Sequence, residues 1–314
     1  MKITLYYPTR LPVAGYGGTE RMAVNLTRGL VERGHEVSLI ASPGSHVPGA
    51  TLIPAVDPEE REDFSFDRVL PPGTDVMIAF VGPRRPPTTV PWVKRLGANR
   101  KPGARNIPNT IYVSQDHARR HGSTSWVHNG VDPAEFRFGA VKGNYDLFIG
   151  RLHTVKGYHW AIAGAKRSHR TLRIAADWRP SLDPAIRYLG PVDGARKADL
   201  LAGARLVWMP ALWDDPCPGV LIEAMASGTP LLGTARASLP EIITPDVGRL
   251  GTTLDELIDL IPSCERIAPE ACRARYERYF THLVMAAEYE RMLREYVRTG
   301  VLPTGRRPEE RGLS

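Results

Sequence analysis

Short apolar runs alternate along the chain with longer stretches in which apolar residues recur at helical spacing. The runs ITLYY at 3–7 and VSLIAS at 37–42 predict two strands. The stretch 19–33 between them predicts a helix, with Thr19 as its N-cap and Gly34 directly beyond its end. Strand, helix and strand together make a βαβ unit, in which the two strands run parallel.

The same alternation continues to the end of the chain. Further strands are predicted at 75–81, 110–115, 145–150, 171–177, 186–190, 206–211 and 229–233. Helices are predicted after Ser114, which would cap the first of them, and over 157–168, 253–261 and 272–298, with Thr253 as the cap of the helix over 253–261. The polar tail 300–314, rich in Pro and Gly, is typical of a disordered segment. The alternation predicts an α/β fold with two Rossmann-like, doubly wound parallel-sheet domains, whose ligands bind beyond the carboxyl ends of the strands.

Composition narrows the class of protein. The chain has 314 residues, of which 42% are hydrophobic and 24% charged, as expected for two soluble globular domains. No apolar run is long enough to span a bilayer, and the first residues do not make a secretory signal, so we expect a cytoplasmic protein. The cysteines Cys217, Cys264 and Cys272 fit neither a zinc site nor a disulfide framework, so we expect reduced core residues.

The formal net charge is +7, and much of the excess falls in residues 84–120, the basic segment. Its cations are Arg84, Arg85, Lys94, Arg95, Arg100, Lys101, Arg105, Arg119 and Arg120, against the single acid Asp116. One interpretation is a set of solvated loops. The other is a surface that meets an anionic partner: lipid headgroups, a phosphorylated acceptor or nucleic acid. Among these we favour peripheral membrane contact over nucleic acid.

Two carboxylates stand out in DDPCPGVLIEAMASGTP, residues 214–230. Asp214 or Asp215 is predicted to cap a helix that ends at Gly228. Glu223 falls inside the apolar part of that helix, where a buried carboxylate needs partners, and a ligand with hydroxyl groups would supply them. Eight helical residues advance about 12 Å, so the carboxylates of Asp215 and Glu223 could hold two ends of one elongated polar ligand.

Two loops that follow predicted strands are candidates for anion binding. In FIGRLHTVKG, Arg151 and Lys156 come after the strand that ends at Gly150. The forked guanidinium of an arginine together with the single charge of a lysine suits a diphosphate. The alternative is that both side chains are ordinary cations in solvent. In GYGGTE, Gly17 and Gly18 would let backbone N–H groups approach a phosphate or a sugar.

The order of these segments resembles that of the retaining glycosyltransferases of family 4 (GT4), which have the GT-B fold of two such domains facing a cleft. The resemblance covers nearly the whole chain and is carried by GGTERMAVNLTRGLVERGHEV, WVHNGVDPAEF, GRLHTVKG, DPCPGVLIEAMASGTP and SLPEIITPDVG. It implies an acceptor-side domain over 1–138, a nucleotide-sugar-binding domain over 139–275, a helix over 276–299 that crosses back to the first domain, and a tail over 300–314.

The resemblance also implies roles for individual residues. Arg151 and Lys156 would bind the donor diphosphate and stabilise the leaving group, and Asp215 would lie beside the donor sugar, which makes these three the catalytic set. Glu223 would hold the ribose hydroxyls. Other donor contacts would come from Gly17, Gly18, Gly150, Gly219 and Val220. The reaction would retain anomeric configuration without a metal, and no cofactor beyond the nucleoside diphosphate sugar is implied.

Three departures from the family pattern bear on function. The first motif carboxylate is Asp215 instead of Glu, Pro218 replaces a glycine, and 81–97 lacks the usual acceptor-side His. The resemblance predicts a hexosyltransferase that uses a UDP-sugar more readily than GDP-mannose. The alternatives are a degenerate, non-catalytic nucleotide-sugar-binding module that docks on an anionic partner, and a transferase acting on a polyanionic acceptor such as lipid or modified DNA.

Overall fold

The structure is a computed structural model that describes residues 1–13, 15, 17–55, 64–100 and 107–310. Its contacts divide the chain into two units, Met1–Gly130 with His282–Ser314, and Val131–Thr281. Each unit contains one six-stranded sheet with every strand pair parallel. Helices flank both sheets, so the prediction of two doubly wound parallel sheets is confirmed.

The elements are as follows. The strands are β1 Lys2–Tyr6, β2 Glu36–Ala41, β3 Thr51–Pro54, β4 Val76–Ala79, β5 Trp92–Leu96, β6 Thr110–Tyr112, β7 Asp146–Ile149, β8 Leu172–Ala175, β9 Ile186–Tyr188, β10 Val207–Met209, β11 Leu231–Thr234 and β12 Gly248–Gly251. The helices are α1 Gly18–Glu32, α2 Phe66–Val69, α3 Gln115–Arg120, α4 Tyr158–Arg167, α5 Gly194–Gly203, α6 Gly219–Ala226, α7 Leu239–Ile242, α8 Leu254–Glu265, α9 Pro269–Tyr279 and α10 His282–Thr299.

The first sheet has the strand order β3-β2-β1-β4-β5-β6, with a core of apolar strand residues such as Ile3, Leu39 and Ile78. Helix α1 packs closely against α10. A Cβ on Gly29 would lie 2.5 Å from the carbonyl oxygen of His282, so only glycine permits this approach of the two helices. Among the described residues, no helix has the length and apolarity that crossing a membrane requires.

The long helix predicted over 272–298 is wrong, because the structure has two helices, α9 and α10, in its place. Phe280 leaves the helical conformation with φ −131°, and its carbonyl oxygen accepts from the N–H of Val131 at 3.1 Å. The Phe280 side chain is fully buried, and the following residues begin α10 in the first unit. Helical spacing continues across the break, so the sequence pattern conceals it.

The basic segment is not a uniform surface. Its strand β5 was missed by the prediction, because Lys94 and Arg95 lie within it. Arg95 is buried; its guanidinium donates to Oδ1 of Asn129 at 2.6 Å and lies 5.2 Å from the Phe80 ring centre. Burial, aided by the nearby charge of Arg100, lowers the pKa of Lys94.

Other parts of the basic segment form ion pairs or lie at the surface. Arg119 and Arg120 pair with Asp116 at 2.9 and 2.6 Å, and Arg84, Arg85 and Arg119 are exposed. Lys101 and Arg105 lie outside the described residues. The surface available to an anionic partner is therefore smaller than the sequence suggests.

The helix caps follow the prediction in two of four cases. Ser114 accepts from the N–H of His117 and Thr253 from that of Glu256, as predicted. Thr19 is not an N-cap, because α1 begins one residue before it with Gly17 in the cap position. The predicted cap at Asp214 or Asp215 is also wrong: α6 begins at Gly219 with Pro218 as its N-cap.

The tail was predicted to be disordered, but residues 300–310 pack on the first unit. The N–H of Gly305 donates to the carbonyl oxygen of Thr124 at 2.8 Å, and Ser125 Oγ donates to the carbonyl oxygen of Pro303 at 2.9 Å. Arg306 pairs with the buried carboxylate of Glu288. These specific contacts outweigh a composition that is typical of disorder.

A pH-dependent contact links α10 to the end of α1. Burial acts to raise the pKa of Glu290, but hydrogen bonds from Arg33 and Arg294, together with His35 Nε2 at 3.3 Å, lower it to about 2. Because the folded-state pKa is depressed, the stabilisation is present above the usual pKa of a glutamate and is lost as the pH falls through about 2.

Glu290→Gln is therefore expected to lower the melting temperature at pH 7, with a deficit that shrinks as the pH falls from about 4.5 towards 2. Thermal melts across that range measure it. Glu295→Gln, on the exposed side of the same helix, serves as the control and should change little at any pH. An unchanged deficit between pH 7 and pH 2.5 would contradict the assignment.

Candidate functional site

The second sheet has the strand order β12-β11-β10-β7-β8-β9, so its topological switch point lies between the adjacent strands β7 and β10. The loops 150–157 and 210–218 follow the carboxyl ends of these two strands. In doubly wound sheets, ligands bind in the crevice at such a switch point. Both loops therefore lie where a ligand of this unit is expected, and both contain residues selected from the sequence.

The two loops are in direct contact. The N–H of Leu212 donates to the carbonyl oxygen of Val155 at 2.8 Å. Gly157 has φ +72°, and a Cβ there would lie 1.8 Å from the carbonyl oxygen of Pro210. Both the left-handed conformation and this approach require glycine. Gly157 thus permits the close packing that holds the side chains of one loop against those of the other.

Gly157→Ala is expected to separate the loops, because the added methyl group meets backbone atoms that cannot move independently. Strain and displaced packing should reduce stability by about 2–4 kcal/mol and lower donor affinity with it. Urea unfolding and nucleotide titration measure the two effects. Gly194→Ala is the matched control, since Gly194 also has positive φ (+48°) but no neighbouring atom within 4 Å. Equal losses in the two variants would contradict a role for the close packing.

The contact brings together two of the predicted catalytic residues. Nζ of Lys156 lies 2.5 Å from Oδ2 of Asp215 and 4.8 Å from the ring centre of Trp213. Asp215 is 4% exposed. A buried carboxylate needs such a partner, and an ammonium has three N–H donors, so Lys156 can hold Asp215 and still donate to a further anion.

The helix α6 does not separate Asp215 from Glu223 in the way the sequence suggested. Residues 215–218 precede the helix, so the estimate of the spacing by helical rise does not apply. The carbonyl oxygen of Asp215 accepts from Oγ of Ser238 at 2.8 Å, which anchors this part of the loop. The Asp215 side chain consequently pairs with Lys156 instead of capping the helix.

Glu223 lies in α6 and is 5% exposed, as its apolar surroundings predicted. Its Oε2 lies 2.5 Å from Nζ of Lys197, which comes from α5 and has a side chain only 13% exposed. Sequence reasoning missed Lys197. The sequence does contain a signal for it. Lys197 begins KADLLAG, in which apolar residues recur at helical spacing, and the structure packs this helix, α5, against α6.

The other predicted donor contacts of the second unit also lie around these loops. Gly150 ends β7 with φ +155°, and the side chain of Arg151 is exposed directly after it. Gly219 and Val220 form the half-buried start of α6. His153, in the same loop as Arg151, accepts from the N–H of Val155 at 3.3 Å. That hydrogen bond gives the His153 side chain a structural role as a cap.

Gly17 and Gly18 belong to the first unit, at the carboxyl end of β1. A Cβ on Gly17 would lie 2.5 Å from Val13, whereas Gly18 has open space beside it. Nearby, the hydroxyl of Tyr7 donates to Glu20 at 3.0 Å, and burial, followed by the charge of Glu20, raises the pKa of Tyr7. The loop therefore lies at the switch point of its own sheet, between β1 and β4.

All three cysteines fall among the described residues, where they are buried and form no disulfide. Burial raises the pKa of both Cys264 and Cys272 to about 12, and their thiols face backbone carbonyl oxygens. These two cysteines are protonated at neutral pH and act as small core residues.

Comparison with known proteins relates this architecture to sugar transfer. Residues 139–265 match the family model described as Glycosyl transferases group 1. Glycogen synthase of Mycobacterium tuberculosis is 31% identical, in a match that covers 37% of this chain and 33% of that protein. The matched region spans about a third of the length of this curated relative.

Solved structures match over almost the whole chain. AviGT4, a glycosyltransferase involved in avilamycin A biosynthesis, is 29% identical with a TM-score of 0.79, covering 96% of this chain and 99% of its own. HepE of Anabaena, solved in complex with UDP and glucose, is 16% identical with a TM-score of 0.66, covering 94% and 100%. The two parallel six-stranded sheets with flanking helices thus match the GT-B glycosyltransferases.

Proposed function

We propose that this chain is a retaining glycosyltransferase that moves a sugar from a nucleoside diphosphate sugar to an acceptor. The observation that carries the proposal is the Lys156–Asp215 pair at the switch point of the second sheet. It lies within residues 139–265, which match the group 1 glycosyltransferases.

The donor would be held by the loops after β7 and β10 and by α6. The guanidinium of Arg151 and the ammonium of Lys156 would bind the diphosphate, because a fork and a point charge together match its oxygens. Asp215, held by Lys156, would accept hydrogen bonds from the donor sugar. Glu223 would accept from the ribose hydroxyls. Backbone at Gly150, Gly219 and Val220 would complete the donor contacts.

The reaction breaks the bond between the anomeric carbon and the distal phosphate oxygen of the donor. The acceptor hydroxyl attacks the anomeric carbon from the face that the diphosphate leaves, and its proton passes to a donor phosphate oxygen. Negative charge grows on the leaving diphosphate. Arg151 and Lys156 would stabilise that charge, the role that a divalent ion fills in other transferases.

UDP is the nucleotide that we favour over GDP. The fold neighbour HepE was solved with UDP and glucose, and the ribose and diphosphate contacts proposed above are common to both nucleotides. The acceptor would be an alcohol, and the exposed Arg84 and Arg85 of the basic segment favour one that carries or adjoins negative charge, including one held at a membrane surface.

A donor screen tests the proposal. UDP- and GDP-sugars are titrated by ligand-observed NMR with and without a chelator, and donor hydrolysis is followed over hours. We expect nucleotide binding in the micromolar-to-millimolar range and slow, chelator-resistant release of sugar with its anomeric configuration kept. Binding without hydrolysis would favour the alternative of a non-catalytic nucleotide-sugar-binding module, and the absence of binding would refute both.

Salt dependence of acceptor binding separates the anionic acceptors from neutral ones. A polyanionic acceptor such as phospholipid or modified DNA should bind with an affinity that falls steeply as salt rises. Vesicles of anionic and of zwitterionic lipid provide the comparison. Equal binding to both would exclude the membrane contact that the basic segment suggested.

A further inference from the structure

The ion pair between Lys197 and Glu223 joins two helices that cover the second sheet. Nζ of Lys197 lies 2.5 Å from Oε2 of Glu223, and the two side chains are only 13% and 7% exposed. Lys197 lies in the first turn of α5, and Glu223 lies in α6. The pair therefore crosses an interhelical contact at a depth where a single charge would be costly.

Stability alone does not explain the pair. Four neighbours of Glu223 in α6 are fully buried, namely Leu221, Ile222, Ala224 and Met225, so an apolar side chain would suit this position. Replacing a buried ion pair by apolar residues of similar volume is often neutral or stabilising, because both charges lose their hydration. A charged pair retained in such surroundings points to a use for the carboxylate.

The ammonium determines what Glu223 can do. A carboxylate paired with an ammonium accepts hydrogen bonds and donates none. The contact with Lys197 uses Oε2, and a carboxylate has about four acceptor positions on its two oxygens. The remaining positions can accept from two adjacent hydroxyls, and the salt contact keeps the carboxylate in one orientation on the helix.

We propose that Lys197 is a positioning residue that makes Glu223 selective for a vicinal diol, the 2′,3′-hydroxyl pair of the donor ribose. The inference rests on the proposed function, since it concerns the ligand of Glu223. It adds a residue on another helix that acts through the carboxylate without touching the nucleotide. Recognition of ribose over deoxyribose then depends on both members of the pair.

The test compares nucleotides that differ only in the diol. The affinities of UDP, GDP and their 2′,3′-dideoxy counterparts are measured by calorimetry for the wild-type chain, Lys197→Met, Lys197→Arg and Glu223→Gln. The comparison between variants uses whichever nucleotide, UDP or GDP, binds the wild-type chain more tightly, together with its dideoxy counterpart. Arg196→Met is the matched control, because Arg196 is an exposed neighbour on α5 that donates to the carbonyl oxygen of Leu189.

Lys197→Met is expected to weaken binding of the ribonucleotide about 10-fold, the range for hydrogen bonds to a charged group, and to leave the dideoxy nucleotide within about twofold. Lys197→Arg should restore most of the loss. The double variant that combines Lys197→Met with Glu223→Gln should bind the ribonucleotide no more weakly than Glu223→Gln alone, because both substitutions act through one contact.

If the Lys197–Glu223 pair only stabilises the fold, the affinities change in a different way. If Lys197→Met weakens both nucleotides equally, or neither, the inference is wrong while the proposed function stands. If the wild-type chain binds none of the four nucleotides, the proposed function fails, and the inference fails with it. Thermal melts of each variant establish that the folded state is being compared.

Discussion

Lys156→Met is expected to reduce sugar transfer or donor hydrolysis by about 10²–10³-fold, the usual cost of removing one group that stabilises developing charge. Methionine keeps most of the volume of the lysine stem and removes only the ammonium. In the proposed reaction that ammonium binds the leaving diphosphate more strongly as its charge grows, so the loss should fall mainly on kcat. Steady-state rates with the best donor of the screen measure it.

The pair with Asp215 affects how the result is interpreted. Removing Lys156 leaves a carboxylate that is 4% exposed without the partner 2.5 Å away, so some loss of stability is expected as well. Lys156→Arg keeps the charge and should fold normally with intermediate activity. Nucleotide binding and a thermal melt separate unfolding from lost catalysis.

Lys166→Met is the matched control, because Lys166 follows the same loop on α4 but is half exposed and paired with Asp183 at the surface. Its activity should stay within about twofold of wild type. If Lys156→Met retained full activity while remaining folded, the diphosphate site would have to lie elsewhere. Arg151→Ala offers an independent check, since its guanidinium is assigned to the same diphosphate.

Asp146→Asn is expected to destabilise the second unit by about 3–5 kcal/mol, the typical cost of breaking a buried ion pair. Asp146 begins β7 with no exposed surface. Its two oxygens each accept from the guanidinium of Arg170 at 2.7 Å, and Trp208 Nε1 donates to one of them at 3.2 Å. Asparagine would leave the Arg170 charge, 10% exposed, without its main counter-charge.

Hydrogen exchange followed by mass spectrometry locates the effect, because the two units need not unfold together. Protection of peptides from β7 and β10 should fall, whereas that of peptides from β1 and β2 in the first unit should not. Asp255→Asn is the control: Asp255 also pairs with an arginine, Arg167, at 2.6 Å, but is 74% exposed. Its effect should stay within about 0.5 kcal/mol.

Replacing both partners shows whether the destabilisation comes from losing the attraction between Asp146 and Arg170 or from leaving one buried charge without a counter-charge. Asp146→Leu with Arg170→Leu removes both ions and should recover part of the stability that either single change loses. Two charges that the double replacement leaves behind limit that recovery: Glu265, which also accepts from Arg170 at 2.7 Å, and Arg205, whose Nε lies 3.3 Å from Oδ1 of Asp146. If Asp146→Asn lowered the free energy of unfolding by less than about 1 kcal/mol, the ion pair between Asp146 and Arg170 would contribute no more than a surface salt bridge, which would contradict the prediction.

Much of the fold follows from the sequence because its signals are local. The buried parallel strands appear as short apolar runs, and two helices begin directly after Ser114 and Thr253, whose side chains accept free N–H groups of the first turn. Strand β5 was not predicted because it contains the charged residue Arg95. The buried guanidinium of Arg95 needs a hydrogen-bond partner, and that partner is Asn129, a residue distant in the chain. The break at Phe280 likewise results from a contact with Val131.

For the candidate site, the sequence by itself determined which side chains carry charge after which strands: Arg151 and Lys156 after β7, and Asp215 after β10. Only the tertiary structure decided their partners. The sheet order makes β7 and β10 neighbours, which pairs Lys156 with Asp215, and the packing of α5 on α6 gives Glu223 its partner Lys197. Charge and helical spacing are properties of nearby residues, whereas an ion pair between distant residues exists only once the sheet has formed.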